Sequence, residues 1–385
     1  MRIVQTVFGV FHHFDLAREL NRRGHLEVIY STWPWRRLQR EALSREKVRT
    51  FPWIHTPEFV LRRANLLPRQ IEDITGYANA LAFDEYVTRT LPECDALIGI
   101  SGSSLKAGKL LQERGGRFFC DRGSSHQRYQ EELVSEECRR WGVMAPVSDI
   151  RDTLREEEIY AIADGITVPS SFAARSFVTM GLPAEKIHTI PYGVRLERFK
   201  PTGSPPTDRL EFLFVGNVGL RKGVPYLLQA FARLQHPNKR LRIVGGMSSE
   251  FPPVLERLPK HNVEFFGILP QQQVAEMMSR SHLLILPSIE EGLALVQGQA
   301  LACGCPVLAT TNTGSENLFT DEQEGFIVSI RDIDALVERM ERIASDSALQ
   351  QRMRAAGLER VQQLGGWESY GERWERLLQQ SIAPH

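Results

Sequence analysis

The chain has 385 residues, 42% hydrophobic and 24% charged, with 47 basic side chains balanced by 47 acidic ones; at roughly 150 residues per domain this describes two folded domains and excludes a disordered chain. No run reaches the roughly 18 consecutive apolar residues of a membrane-spanning helix. The five cysteines are odd in number and have no paired metal-ligand spacing, so they read as reduced thiols of a cytoplasmic protein.

The start lacks the charged, apolar and cleavage regions of a signal peptide and reads as a first strand, Arg2 to Phe8. An amphipathic helix from Asp15 to Arg23 ends at Gly24, before a second strand, Glu27 to Ser31. The loop between, Gly9-Val-Phe-His-His-Phe, is then the first turn of a Rossmann-like βαβ unit. Gly9 suits a tight turn, and His12 and His13 stay open between packing and substrate contact.

Residues 1–64 carry 12 Lys and Arg against 6 Asp and Glu. From Trp33 to Trp53, Arg36, Arg37, Arg40, Arg45, Lys47 and Arg49 stand among Trp33, Trp35, Phe51 and Trp53. Two readings are open: peripheral contact with the inner face of a membrane through residues 33–53, or an Arg-rich segment whose rings fold into the core. The basic excess is local and no nucleic-acid-binding motif accompanies it.

Gln70 to Leu91 reads as a long helix, and Cys94 to Ile100 and Gly116 to Asp121 as strands. The latter opens into Arg122-Gly-Ser-Ser-His126, ahead of a charged helix from Gln127 to about Arg140, with Ser124 and Ser125 as caps. Helices follow from Asp149 to Ala163 and, past Pro169, through Met180. Lys200 to Thr207, rich in Pro, Gly and Ser, is a hinge.

Leu210 to Val215 restarts the pattern as a buried strand, followed by Gly216-Asn-Val-Gly-Leu-Arg-Lys-Gly223 and a helix from Pro225 to Leu234. A glycine-rich strand-to-helix turn ending in cations is a phosphate site: free N–H groups and the helix dipole face the anion, and Arg221 and Lys222 add charge. Strands follow at Arg240 to Val244 and Val263 to Phe266. Helix Gln272 to Ser281 then feeds a strand ending at Pro287. The next stretch, Ser-Ile-Glu-Glu-Gly-Leu-Ala-Leu-Val-Gln-Gly-Gln-Ala-Leu-Ala-Cys-Gly-Cys-Pro-Val307, reads as a crossover whose helix runs from Leu293 to Gly304. Glu290 and Glu291 fall on the loop at the carboxyl end of a parallel strand, where open α/β sheets hold ligands. Trp367, Tyr370, Trp374, Leu377 and Leu378 form a packing stripe on a last helix.

This set resembles the family 4 retaining glycosyltransferases, which use nucleotide-sugar donors. Pro287, Ser288, Glu291, Gly292, Ala300, Gly304, Pro306 and Val307 fit the family signature, and Gln299 stands where its second Glu belongs. Gly181 to Phe199 resembles the end of the family's N-terminal domain, with Arg195 in place of the usual Asp. The resemblance implies a GT-B fold, two doubly wound α/β domains facing a central cleft. Residues 1–200 would form the acceptor-side domain, braced by a C-terminal helix over 366–385, and residues 208–365 the donor-binding domain.

It also implies roles. His126 would face the donor sugar and Glu291 would accept hydrogen bonds from sugar hydroxyls, as the catalytic pair. Gly9 would approach the donor diphosphate, and Lys222 would neutralise it, with Arg221 supplying the charge lost where Asn217 replaces the family's Arg. The N–H groups of Gly292, Leu293, Ala294 and Leu295 would meet donor oxygens at a helix N-terminus. Gln299 would hold the ribose, without the charge-assisted bonds a Glu would make. Glu316, in Thr311-Asn-Thr-Gly-Ser-Glu316, stays open between the nucleotide and an ion pair or cap. No cofactor or metal is expected. The function implied is retaining sugar transfer to a glycan or lipid-linked acceptor in cell-surface polysaccharide or glycolipid synthesis. The alternatives are a non-catalytic partner subunit, suggested by Gln299 and Asn217, and a nucleotide-sugar epimerase.

Overall fold

A computed structural model describes residues 1–64, 69–145 and 149–382. The last three positions of the brace expected over 366–385 lie outside the described residues.

Two parallel sheets organise the chain. The first has β1 (Ile3–Val7), β2 (Leu26–Ser31), β3 (Val48–Thr50), β4 (Ala96–Ile100), β5 (Arg117–Asp121), β6 (Gly165–Val168) and β7 (Ile187–Thr189), in the order β3-β2-β1-β4-β5-β6-β7. The second has β8 (Leu210–Val215), β9 (Lys239–Val244), β10 (Val263–Phe265), β11 (Leu283–Leu286), β12 (Val307–Thr310) and β13 (Gly325–Val328), in the order β10-β9-β8-β11-β12-β13. The central strands are near-continuous apolar runs because helices cover both faces: Phe212, Leu213, Phe214 and every residue of β11 and β12 are buried. Chain order reverses between β1 and β4 and between β8 and β11, so each sheet opens a crevice at those carboxyl ends. This is the GT-B architecture.

The first helix begins earlier than its apolar spacing suggests, at His12, which puts His12 and His13 on its opening turn at the crevice. The short strands β3, β6, β7 and β13 add to those expected from the apolar runs. Within the basic segment, Trp33 is buried under the Arg37 guanidinium, Phe51 stacks on Tyr86, and Arg49 donates to Tyr30 Oη at 2.7 Å. Trp33 and Phe51 therefore follow the core reading, and Trp53 stays 75% exposed. No described helix is long and apolar enough to cross a membrane.

The helix Trp367–Ile382 lies along His12–Arg22. A Cβ at Gly371 would stand 2.6 Å from Glu19 Cβ, Glu375 accepts from Arg23 and His25 at 3.0 and 2.7 Å, and Trp374 packs on Phe119. The two sheets' domains are closed on one another. Glu137, fully buried on the helix Gln127–Trp141, accepts from Tyr226 Oη at 2.7 Å and Arg331 Nε at 2.8 Å across the gap. Ser171 and Asn317 exchange two further hydrogen bonds across it, of 2.8 and 3.0 Å.

Candidate active site

The phosphate loop is pressed onto the end of β11 by one glycine. Gly223 has φ +66° at the start of the helix Val224–Arg233, and a Cβ there would meet the Pro287 carbonyl oxygen at 1.8 Å, so no other residue fits. The approach is locked where the Ile289 N–H donates to the Arg221 carbonyl at 2.8 Å. It brings Lys222 Nζ against the Glu291 carboxylate and Arg221 Nη1 to 3.0 Å from Glu290 Oε2. Burial pushes the Lys222 ammonium down to about 7, with Arg221 adding repulsion and Glu290 opposing both. Glu291, in contact with it, supplies further countercharge.

Glu290, placed by the sequence on the ligand loop beside Glu291 but given no role there, joins the two domains at the site. Its side chain is fully buried, yet its carboxylate accepts from Ser124 Oγ and Ser125 Oγ at 2.7 Å each through Oε1, and from Gln130 Nε2 at 2.7 Å through Oε2. Burial works against ionisation. Arg221 and the two serine hydroxyls outweigh it and hold the carboxyl below its ordinary range. Buried Arg122 shapes the donor loop: it binds the Ser125 carbonyl at 3.0 Å and Gln130 Oε1 at 2.8 Å, leaving Gln130 Nε2 aimed at Glu290. The two serines, read as caps, are interdomain donors.

The helix expected from Leu293 starts at Leu295, because Glu291 N–H and Ala294 N–H are drawn to the carbonyls of Asn312 and Thr313 at 2.9 and 3.3 Å. Ala294 N–H is thereby partly committed. The amides of Gly292, Leu293 and Leu295 have no acceptor among the described residues, an anion-seeking arrangement at a helix start. Gly292 also touches the first domain: a Cβ there would lie 2.3 Å from the Gly123 carbonyl oxygen. Gln299, half-buried, lines an interdomain cavity of about 200 Å³ with His12, Asp15, Arg195 and Leu295.

Residues 197–360 match the family described as Glycosyl transferases group 1. The chain is a GT-B relative of the family 4 glycosyltransferases. It is 29% identical over 252 residues to the GDP-mannose-dependent monoacylated alpha-(1-6)-phosphatidylinositol monomannoside mannosyltransferase of Corynebacterium glutamicum, covering 60% of this chain and 65% of that one. It is 30% identical over 239 residues to the D-inositol 3-phosphate glycosyltransferase of Streptomyces avermitilis, covering 56% and 51%. The chain thus spans between half and two thirds of the length of these relatives. In fold it is similar to the sucrose-phosphate synthase of Thermosynechococcus elongatus (TM-score 0.73, 21% identity, 99% of both chains). It is also similar to Anabaena HepE in complex with UDP and glucose (TM-score 0.69, 15% identity, 99% and 100%).

Several family-based placements do not carry over to this GT-B chain. The His126 ring is buried between Tyr160 and Phe177, at 5.0 and 5.1 Å, in the first domain's core. Its backbone N–H bonds Ser176 Oγ at 2.8 Å and holds the residue against the helix Ser171–Thr179. Gly9 has φ +78°, but its N–H is taken by Thr32 Oγ1 at 2.9 Å and the Trp33 indole fills the space beside it, so it offers no amide to a diphosphate. Glu316 pairs with Arg175 of the first domain at 2.7 Å, the ion-pair reading. Asn217 sits beside Arg221 and Lys222 around a cavity of about 150 Å³, with its amide on Ser248.

The cleft holds another group of titratable side chains. Asp121, at the end of β5, accepts from His12 Nε2 at 2.7 Å and from Thr167 Oγ1 at 2.9 Å, with His13 Nε2 at 3.3 Å. The two shorter contacts are hydrogen bonds and the His13 ring makes none, and we assign no ion to the trio. Burial, then His12, pushes His13 down to about 3, with Asp121 opposing; burial likewise pushes His126 down to about 4. Both rings are therefore neutral when folded and protonate more readily when unfolded, so stability falls as pH drops from about 6.5 towards those values. His126→Phe, which fills the same space without titrating, is expected to soften the fall in Tm between about pH 6.5 and pH 4 and to leave sugar transfer within about threefold of wild type. A hundredfold loss of transfer would return His126 to the chemistry.

Proposed function

We propose that the chain transfers a sugar, with retention, from a nucleoside-diphosphate sugar to an acceptor hydroxyl in the synthesis of a surface polysaccharide or glycolipid. The observation that carries this is the contact of Lys222 with Glu291 beside the Arg221–Glu290 pair, at the unpaired amides that open the helix Leu295–Ala302. Lys222 and Arg221 would neutralise the departing diphosphate, and fixed charge of this kind usually accelerates a reaction more than any other single effect. Glu291 would orient the sugar, and Gln299 would meet the ribose. The cations make a resident metal unnecessary to this reading. The mannosyltransferase and inositol-phosphate glycosyltransferase relatives support sugar transfer, and UDP in a similar fold makes a uridine or guanosine diphosphate the first donor base to try. We place the protein in the cytoplasm, with exposed Trp53, Val60 and Leu61 as the side chains that would meet a membrane surface.

The test is incubation with a panel of UDP-, GDP- and ADP-sugars, with and without acceptor polyols and lipid-linked glycans, followed by mass spectrometry. Nucleoside diphosphate release that rises with one acceptor, and persists in EDTA, is the expected result. Isomerised donor without transfer would indicate an epimerase. No reaction with any donor would support the partner-subunit alternative.

A further inference from the structure

We infer that the first-domain cavity at the carboxyl ends of β1 and β4 seats a protonated amino group of the acceptor glycan, with Asp152 as its countercharge, an inference that rests on the sugar-transfer reading above. The cavity holds about 450 Å³, within the roughly 300–1,000 Å³ of small-molecule sites. Phe8 extends β1 and Ser101 and Gly102 follow β4, so it opens at the crevice where the chain order of the first sheet reverses. Gly102, at φ +85°, lets the loop after β4 pass between Phe8 and Glu156, which lie 3.6 and 3.9 Å from where a Cβ would stand.

Its walls carry negative charge that their cations do not balance. Asp149 caps the helix Ile150–Ile162, and Asp152 and Glu156 line the cavity with it from that helix. Asp149 is paired with Arg151 and Glu156 with Arg122, while Arg155, which also lines the cavity, is committed to Asp84. Asp152 has no hydrogen bond or ion pair among the described residues. Burial, then repulsion from Asp149 and Glu156, pushes its carboxyl up to about 6, with Arg151 and Arg155 opposing. A second observation points to a ligand. Asn79, on the helix Arg69–Thr90, is only 6% exposed and lines the same cavity, yet its Oδ1 has no hydrogen-bond partner. A buried acceptor atom in a cavity with an unbalanced carboxylate calls for a donor that carries positive charge. No three groups of this cavity converge at metal-ligand spacing among the described residues, so an extended organic cation fits it better than a metal ion.

The seat is linked to the donor side. Gln127 lines the cavity and accepts from Arg122 Nη2 at 2.7 Å, and the same nitrogen donates to Gln130 Oε1 at 2.8 Å. Gln130 Nε2 in turn donates to Glu290, the neighbour of Glu291, at 2.7 Å. An amino group anchored at Asp152 is therefore held by a wall in register with the Lys222–Glu291 contact. The anchor binds and orients the acceptor and takes no part in the transfer step itself.

The test uses the full chain and reads binding separately from transfer. By NMR titration, a glucosamine trisaccharide is expected to bind about tenfold or more tightly than its fully N-acetylated counterpart, which keeps the hydroxyls and lacks the charge. Asp152→Asn is expected to remove most of that preference while donor affinity stays within about threefold of wild type. Asn79→Ala, which leaves the charge in place, is expected to weaken the amine form about threefold or more. With an active donor from the panel, kcat/KM should show the same preference for the amine form. Three results overturn this inference alone: equal binding of the two trisaccharides, a preference that survives in Asp152→Asn, or displacement of the amine by magnesium chloride beyond the effect of sodium chloride at equal ionic strength. Amine binding without transfer from any donor in the panel overturns the sugar-transfer reading, and with it the acceptor role of the cavity.

Discussion

Lys222→Ala is expected to lower kcat by about 10²- to 10³-fold while weakening donor binding only about tenfold. The asymmetry follows from where charge grows. In the bound donor the diphosphate charge is shared with a sugar ester, and as the anomeric bond breaks a full negative charge gathers on the leaving oxygen. A fixed ammonium gains most from that late charge. Lys222 is held for it: Gly223 leaves no room between the loop and Pro287, and Glu291 meets Nζ from the next strand's loop. Removing it also leaves Glu291 without its cation in a half-buried site, which adds repulsion towards the diphosphate. Steady-state kinetics with a calorimetric donor Kd separates the two effects. Equal losses in kcat and affinity would assign Lys222 to uniform binding instead.

Glu290→Ala is expected to cost about 3–5 kcal/mol of stability and to reduce transfer about a hundredfold. Its carboxylate gathers Ser124, Ser125 and Gln130 from one domain and Arg221 from the other. Without it a guanidinium and three neutral donors face one another across a buried gap, and the closed arrangement loses a principal fastening. The sign with pH is defined: the folded carboxyl titrates below its ordinary value, so its contribution is present above about pH 4.3 and is lost as acid carries pH down through the lowered value. Glu290→Gln keeps the shape and should flatten that limb. Thermal unfolding across pH, with hydrogen exchange at Ser124 to Gln130, reads both effects. Unchanged protection there in Glu290→Ala would show that the fastening lies elsewhere, at Glu137 for instance.

The fold was legible where burial is extreme. Leu210–Val215, Leu283–Leu286 and Val307–Thr310 are apolar runs because helices cover both faces of the second sheet, and such runs separated by glycine turns spell a parallel α/β domain. Edge strands such as Val48–Thr50 and Ile187–Thr189 are three residues long and only partly buried, too short for periodicity to show. The donor side of the site was legible because Lys222 and Glu291 are fixed by local features, a glycine N-terminal to a helix and a loop after a strand. The loop position of Glu290 was legible too, but its role was not, since that depends on Ser124, Ser125 and Gln130, more than 150 positions away. His126 and His12 share the same kind of address, a loop at a strand end. The contacts that each ring makes are ones that spacing does not encode, Tyr160 and Phe177 for one and Asp121 for the other.

The most direct test is a calorimetric titration of the whole chain with uridine, guanosine and adenosine diphosphates, repeated on Lys222→Ala. Binding of at least one diphosphate by the wild type, weakened about tenfold or more in the variant, is the expected result. Failure of all three to bind, or binding that Lys222→Ala leaves unchanged, would contradict a nucleotide-sugar site at the Lys222–Glu291 contact.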